Sequence, residues 1–130
     1  MLHLNFLAIL VATIAAFVFA SAWYIGLARE RARWSAAAAT QSRPPAWMLP
    51  VELLRTGVVA LVVAGLASLL HLTAWVGAAQ LALAMWIGFP VVLLSGSVIY
   101  ENVSWQLAAI HAGDWLGKLL IVTIIVSLWR

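Results

Sequence analysis

His111, Asp114 and Lys118 are the residues whose types and spacing are most suggestive of chemistry. Their i, i+3 and i+7 spacing places all three on one face of a helix, and Asp114 and Lys118, four residues apart, can form an ion pair. Ionisable side chains within a membrane are costly and usually face a bundle interior or water. The trio is therefore a candidate functional site, for example a proton relay.

The same trio also has a structural interpretation. A helix that enters the hydrocarbon late would leave His111 and Asp114 at the interface, with Lys118 snorkelling back along its stem. From Trp115 to Leu128 such a helix is only about 21 Å long, so Lys118 at least would be partly immersed in a core about 30 Å thick. The sequence leaves both a structural ion pair and a functional site open.

The other candidate ligands are isolated in the sequence. His3 and His71 are expected at the same end of the molecule, but two histidines alone form no recognisable metal motif, so no metal site is predicted. Ligation of haem or chlorophyll by His71 or His111 is a weaker hypothesis, and no cofactor is predicted. The chain has no cysteine and no phosphate-binding glycine loop, nucleophile elbow or zinc-protease helix, so an enzyme is not the leading expectation.

The composition of the chain indicates whether water or lipid surrounds the elements that position these residues. The 130 residues are 66% hydrophobic and 8% charged, whereas soluble domains have roughly 45–50% and about 25%. Such a chain cannot bury its apolar surface in a globule of this size, so most of it must face lipid. The net charge of +3 comes from only seven basic residues, five of them between Arg29 and Arg55, and no nucleic-acid partner is predicted.

Four apolar stretches are long enough to cross a bilayer as helices. They cover about residues 4–27, 53–72, 75–98 and 103–128, and their continuous apolar character favours helices over the alternating strands of a membrane barrel. We therefore predict an all-α polytopic membrane protein, an antiparallel bundle of four transmembrane helices forming one membrane domain over residues 1–130. Glu101 and Asn102 are expected to cap the last helix.

The connector 28–52 predicts the orientation of this bundle. It carries the basic cluster, and short basic loops stay in the cytoplasm. The expected location is the bacterial inner membrane, with this loop cytoplasmic and both termini outside. Basic residues follow the first apolar stretch and none precedes it, which is the reverse of a signal peptide, so this stretch is interpreted as an uncleaved span.

Small residues and tryptophans suggest how the spans pack and how deep they lie. Small residues at four-residue spacing allow helices to approach closely, and the predicted packing residues are Ala12, Ala16, Ala20, Ala60, Ala64, Gly113 and Gly117. Tryptophans near span ends are typical interface anchors, which here are Trp23, Trp47, Trp75, Trp105 and Trp129. Gly88 and Pro90 lie within the third span as a predicted kink or hinge.

Several short segments, in their order along the chain, resemble a known family. They are Asn5–Ala12 leading to Ala22-Trp23-Tyr24, then Trp86–Phe89, His111-Ala112-Gly113 and the ending Ser127–Arg130. Together they are similar to small bacterial membrane proteins of the domain of unknown function 1761 family. The resemblance implies four spans and supplies no reaction. The long first loop and Asp114, Trp115 and Lys118 depart from the family pattern, so an Asp114–Lys118 pair would be particular to this branch.

These observations favour a protein of unassigned activity that binds other proteins in the membrane. The leading hypothesis is a small accessory or interaction subunit, present as a homo-oligomer or in a larger membrane complex. The alternative is a small oligomeric channel or transporter that uses the His111, Asp114 and Lys118 face with Pro90 as hinge. A third class is a membrane enzyme that acts on a lipid or quinone.

Overall fold

The computed structural model describes residues 3–35 and 45–129. Within these ranges the chain forms helices and short connections, without a strand. The helices are α1 (Phe6–Gly26), α2 (Ala28–Trp34), α3 (Met48–Leu69), α4 (Trp75–Gly88), α5 (Pro90–Tyr100) and α6 (Trp105–Leu128). Residues 36–44, which include Arg43 and part of the predicted basic loop, lie outside the described residues.

In the described part of the chain, four helical segments are long and apolar enough to cross a membrane, and the third consists of α4 and α5 together. The prediction of an all-helical, multi-pass membrane protein is confirmed. Helix α3 begins at Met48 and ends at Leu69, whereas the predicted span ran from about 53 to 72. Pro50 lies in its first turn, where a missing N–H costs little, so the polar residues that follow are helical as well.

Two helices begin with side-chain caps that the local sequence explains. The Asn5 carboxamide accepts a hydrogen bond from the backbone of Ala8 at the start of α1. At the start of α6, Ser104 accepts one from Leu107. The prediction that Glu101 and Asn102 cap this helix is wrong, because Glu101 is the C-cap of α5 and Asn102 has a left-handed backbone between the two helices.

Helix α6 lies at the centre of the bundle and packs against α1, α3, α4 and α5 and also contacts α2. From Leu119 onward it is mostly apolar, and Leu119, Val122 and Val126 are buried there. Helix α1 packs against α3 as well, but no extended contact joins α3 to α4 or α5 in the described part of the chain. The third span therefore rests mainly on α6, at the edge of the bundle.

The predicted alanine stripes lie in the core, between α1, α3 and α6. Ala12, Ala16, Ala20, Ala60 and Ala64 are all buried. A methyl side chain lets two helix backbones approach closely, which is how helices associate when hydrocarbon surrounds them. The alanines therefore pack the bundle from within, as their spacing predicts.

The glycines of α6 pack differently from the prediction. A Cβ on Gly113 would overlap the indole ring of Trp23, and one on Gly117 would overlap the phenyl ring of Phe19. Both rings come from α1. The Gly113–Gly117 motif thus makes room for aromatic side chains and does not bring two backbones into direct contact, because large residues of α1 fill the space that the glycines leave.

The third span is interrupted at Phe89, between α4 and α5. Phe89 has φ −121° and ψ −76°, outside helical values, and Pro90 begins α5. Proline lacks the N–H that would continue the hydrogen-bond ladder, which accounts for a break here. The predicted kink is present, while its role as a hinge stays a prediction.

Candidate functional site

The candidate site is built around a buried ion pair on α6. Lys118 Nζ lies 3.0 Å from Asp114 Oδ2, and the two residues are only 7% and 2% exposed. The i, i+4 spacing predicted this contact. Two opposite charges this deeply buried stabilise each other only when their remaining hydrogen-bonding groups also find partners.

Tyr24 of α1 supplies one of those partners. Its hydroxyl lies 3.2 Å from Asp114 Oδ2 and 2.8 Å from His111 Nδ1. A hydroxyl carries one proton and a carboxylate can only accept. Both contacts are satisfied when Tyr24 donates to Asp114 and accepts a hydrogen bond from Nδ1–H of His111, which fixes one histidine tautomer.

Glu52 of α3 closes the site from the other side. Its Oε1 lies 3.6 Å from Lys118 Nζ, and its Oε2 lies 2.9 Å from Arg55 Nη1. Lys118 Nζ also lies 5.3 Å from the ring centroid of Trp115, within the range of a cation–π contact. The buried ammonium thus has two carboxylates and one aromatic face as partners.

We call Tyr24, Glu52, His111, Asp114 and Lys118 the polar network. It joins three helices, since Tyr24 belongs to α1, Glu52 to α3 and the other three residues to α6. Tyr24 lies in the last turn of α1 and Glu52 in the second turn of α3. The network therefore lies at the basic end of the bundle, which is the end where α1 stops and α3 starts.

Two tryptophans hold α6 in place beside the network. Trp23 of α1 donates its indole N–H to the carbonyl of Ile110 over 2.9 Å, and Trp86 of α4 donates to the carbonyl of Ala112 over 2.8 Å. A helical carbonyl has a second lone pair that can accept such a bond. Trp23, predicted as an interface anchor, instead binds two helices together, because Gly113 leaves space for its ring.

The remaining predicted anchors and ligands lie at the periphery. Trp47, Trp75, Trp105 and Trp129 are exposed on the protein, where lipid or the interface can surround them. The backbones of His3 and His71 both donate to Ser68, which places these residues at the same end of the molecule. Among the described residues, no group of three histidine or acidic side chains could hold a metal ion.

Sequence reasoning found three of the five residues of the polar network and missed Tyr24 and Glu52. Tyr24 is a single polar residue near the end of its span, and Glu52 has an ordinary exposed partner, Arg55, on its own helix. Neither residue is therefore marked as part of a site by the sequence of its own helix. The antiparallel topology contains the missing signal. It places the end of the first span and the start of the second beside the polar residues of the last span, where a buried Asp114–Lys118 pair needs further partners.

Comparison with known families identifies the group to which the chain belongs. Residues 7–127 match the family model described as "Protein of unknown function (DUF1761)". Since this match covers nearly the whole chain, the chain belongs to the DUF1761 family. No match was found among curated proteins or among solved structures.

Proposed function

We propose that this DUF1761 protein is a small accessory subunit that binds another integral membrane protein. The observation that supports this role is the closure of the α6 polar face by α1 and α3 of the same chain. A channel or transporter needs such a face open to water or to an oligomer axis. Here Asp114 and Lys118 are buried and engaged within the chain, so the network fits a structural support better than a conduction path.

The surface available to a partner is the outer face of the third span. Helices α4 and α5 rest mainly on α6 and leave apolar side chains exposed, among them Ile87, Val92 and Ile99. Partner helices in a membrane associate by close van der Waals packing. Because the third span packs against the bundle on one side only, it offers the widest free helix surface for this packing.

A photo-crosslinking experiment in native membranes tests the accessory role. A photoreactive amino acid at Val92 or Ile99 is expected to give one discrete protein adduct, and the same protein should co-purify at a fixed ratio. The matched control carries the label at Val18, an equally exposed valine on α1. The proposal is wrong if neither position on α5 gives an adduct, or if Val18 gives the same adduct with equal yield.

We also propose that the chain lies in the bacterial inner membrane with the basic end in the cytoplasm. Arg29, Arg31, Arg33 and Arg55 lie at that end, and basic residues near span ends favour the cytoplasmic side. The chain has no cysteine, so single-cysteine variants can be labelled without background. A membrane-impermeant maleimide should label Thr73→Cys in intact cells and Arg33→Cys only after lysis, and the reverse pattern would invert the topology.

One observation favours the alternative, a small channel or transporter that moves protons. Asp114 Oδ1 is buried and has no hydrogen-bond partner in the described part of the chain, and an acid with a free oxygen can take up a proton. In this case Asp114→Asn should abolish proton flux into vesicles that contain the purified protein. Equal flux with the wild type, the variant and empty vesicles would exclude this function.

A further inference from the structure

A groove runs along the bundle between α3 and the kinked third span, with α6 as its floor. Its larger part has a volume of about 450 Å³ and is apolar, lined among others by Val62, Met85, Phe89, Leu93 and Leu119. The groove exists because α3 and α5 both pack on α6 and hardly on each other. In a bilayer such a groove is open to hydrocarbon.

The groove continues into a smaller cavity of about 310 Å³ at the basic end. The two share Val58, Val59 and Trp115 as lining residues, so they adjoin each other along α3, and we call them together the depression. The smaller cavity is lined by Glu52 and Lys118 of the polar network and by Arg55 and Thr56, among others. The depression is therefore amphipathic, with a polar mouth and an apolar interior.

The polar groups left free at this mouth, Arg55 and Thr56, can both donate hydrogen bonds. Both carboxylate oxygens of Glu52 are engaged by Arg55 and Lys118. The Arg55 side chain is 65% exposed and uses one terminal nitrogen for Glu52, which leaves further N–H groups of its guanidinium available. Thr56 is only 4% exposed, and its hydroxyl lacks a partner among the described residues. A ligand with acceptor oxygens at the mouth would satisfy both groups.

The length of the depression matches one leaflet of a bilayer. Along α3 it extends from Glu52 to Val63, a rise of about 16 Å at 1.5 Å per residue. This is about half of a hydrocarbon core about 30 Å thick. A molecule with its polar group at the mouth would thus place its chain within a single leaflet.

We propose that this depression binds one anionic glycerophospholipid. Its phosphate accepts hydrogen bonds from the Arg55 guanidinium and from the Thr56 hydroxyl, and one acyl chain lies along Val58, Met85, Phe89 and Leu93. Guanidinium groups bind phosphate oxygens in a fixed fork geometry. The site is separate from the outer face of the third span, so it does not depend on the accessory role.

Lipid binding can be measured on the full chain by native mass spectrometry from detergent micelles. We expect one phosphatidylglycerol to bind per chain in preference to phosphatidylcholine. Glycerol 3-phosphate, which has the phosphate without acyl chains, should not displace it. Displacement by glycerol 3-phosphate would show a plain anion site and overturn the lipid proposal.

Matched variants separate this site from general attraction to a basic surface. Arg55→Gln should weaken phosphatidylglycerol binding about fivefold, the usual effect of one basic residue near anionic lipid. Arg33→Gln is the control, since Arg33 is also exposed and paired with a glutamate three residues away. Equal weakening by the two variants would contradict a specific site.

Two further variants test the hydroxyl and the apolar interior. Thr56→Val keeps the shape of the side chain and should weaken binding about fivefold through the lost hydrogen bond. Val58→Trp should fill the groove and remove the bound lipid, whereas Val18→Trp, on the exposed face of α1, should retain it. Full lipid binding by folded Val58→Trp would show that the chain lies elsewhere and overturn the proposal.

Discussion

Helix α6 and the third span, α4 with α5, have opposite compositions and opposite positions. Helix α6 carries three ionisable residues and lies at the centre of the bundle, whereas the third span has no charged residue before Glu101 and lies at the edge. In water the more polar helix would face the solvent. In lipid the order reverses, because an apolar helix costs nothing at the surface and a charged one must find partners inside.

This comparison shows how one helix can serve as both the polar and the apolar centre of the bundle. The part of α6 from His111 to Lys118 belongs to the polar network, and two indole hydrogen bonds reach Ile110 and Ala112, while the part from Leu119 onward packs on alanines of α1 and α3. The third span contributes one of those hydrogen bonds through Trp86. Equivalent substitutions on α6 and at exposed positions elsewhere should therefore differ strongly in the stability that they remove.

The largest effect is expected from Asp114→Ala. It leaves the buried Lys118 ammonium with Glu52 at 3.6 Å as its only acidic partner within salt-bridge distance in the described structure. Breaking a buried pair by removing one member costs about 3–5 kcal/mol. Thermal unfolding in detergent micelles should show a correspondingly lower midpoint.

The control for this variant is Glu30→Ala, which breaks the exposed pair of Glu30 with Arg33 on α2. Exposed pairs contribute about 0–1 kcal/mol. If both substitutions lower the unfolding midpoint equally, Asp114 and Lys118 are surrounded by water and α6 is not the polar centre of the bundle.

Glycine-to-alanine substitutions provide the next contrast between the two regions. In Gly113→Ala the added methyl group overlaps the Trp23 ring, which its bond to Ile110 holds in place, so overpacking should cost about 1–3 kcal/mol. In Gly88→Ala the methyl group meets nothing within 4 Å, and better helix propensity should leave stability unchanged or raise it by up to about 1 kcal/mol.

Unfolding midpoints of the two glycine variants in the same detergent decide this contrast. A larger loss for Gly88→Ala than for Gly113→Ala would mean that the kink depends on glycine. The hinge hypothesis would then gain support from Gly88, whereas the structure assigns the break to Pro90 and Phe89.

The difference between these glycines also shows what sequence could and could not predict. The number of spans, their helical nature and the Asp114–Lys118 contact follow from composition and spacing within one helix. The partners Tyr24 and Glu52, and the aromatic rings over Gly113 and Gly117, depend on which helices meet and in what register. A small-residue motif marks a close approach without specifying whether a backbone or a ring fills the space.

A smaller loss is expected when the hydrogen bond between the third span and α6 is removed. Trp86→Phe keeps an aromatic ring but loses the N–H donated to the carbonyl of Ala112, at a cost of about 1 kcal/mol. Trp105→Phe, at an exposed tryptophan, should change stability by less than about 0.5 kcal/mol. Equal unfolding midpoints for the two variants would show that the Trp86 hydrogen bond contributes no more to stability than an exposed indole does.

The smallest effect is predicted at the turn that leads from α3 into the third span. His71 has φ 52°, and the N–H groups of His71 and Leu72 bond to Ser68 and Ala67, the hydrogen-bond pattern of a Schellman C-cap. Relief of left-handed strain, roughly 1–2 kcal/mol, exceeds the extra chain entropy that glycine loses on folding, about 0.5–1 kcal/mol. His71→Gly should therefore raise stability by about 0.5 kcal/mol.

Asn102→Gly is the matched control for the His71 prediction, because Asn102 also has a left-handed φ of 55° but asparagine tolerates this region better than histidine. Its unfolding midpoint should change less than that of His71→Gly. A lower midpoint for His71→Gly would mean that the imidazole makes a stabilising contact at this end of the bundle, strong enough to outweigh the backbone strain. The start of the third span would then be stabilised by a side-chain contact, as α6 is. The difference in stabilising side-chain contacts between α6 and the third span would be smaller.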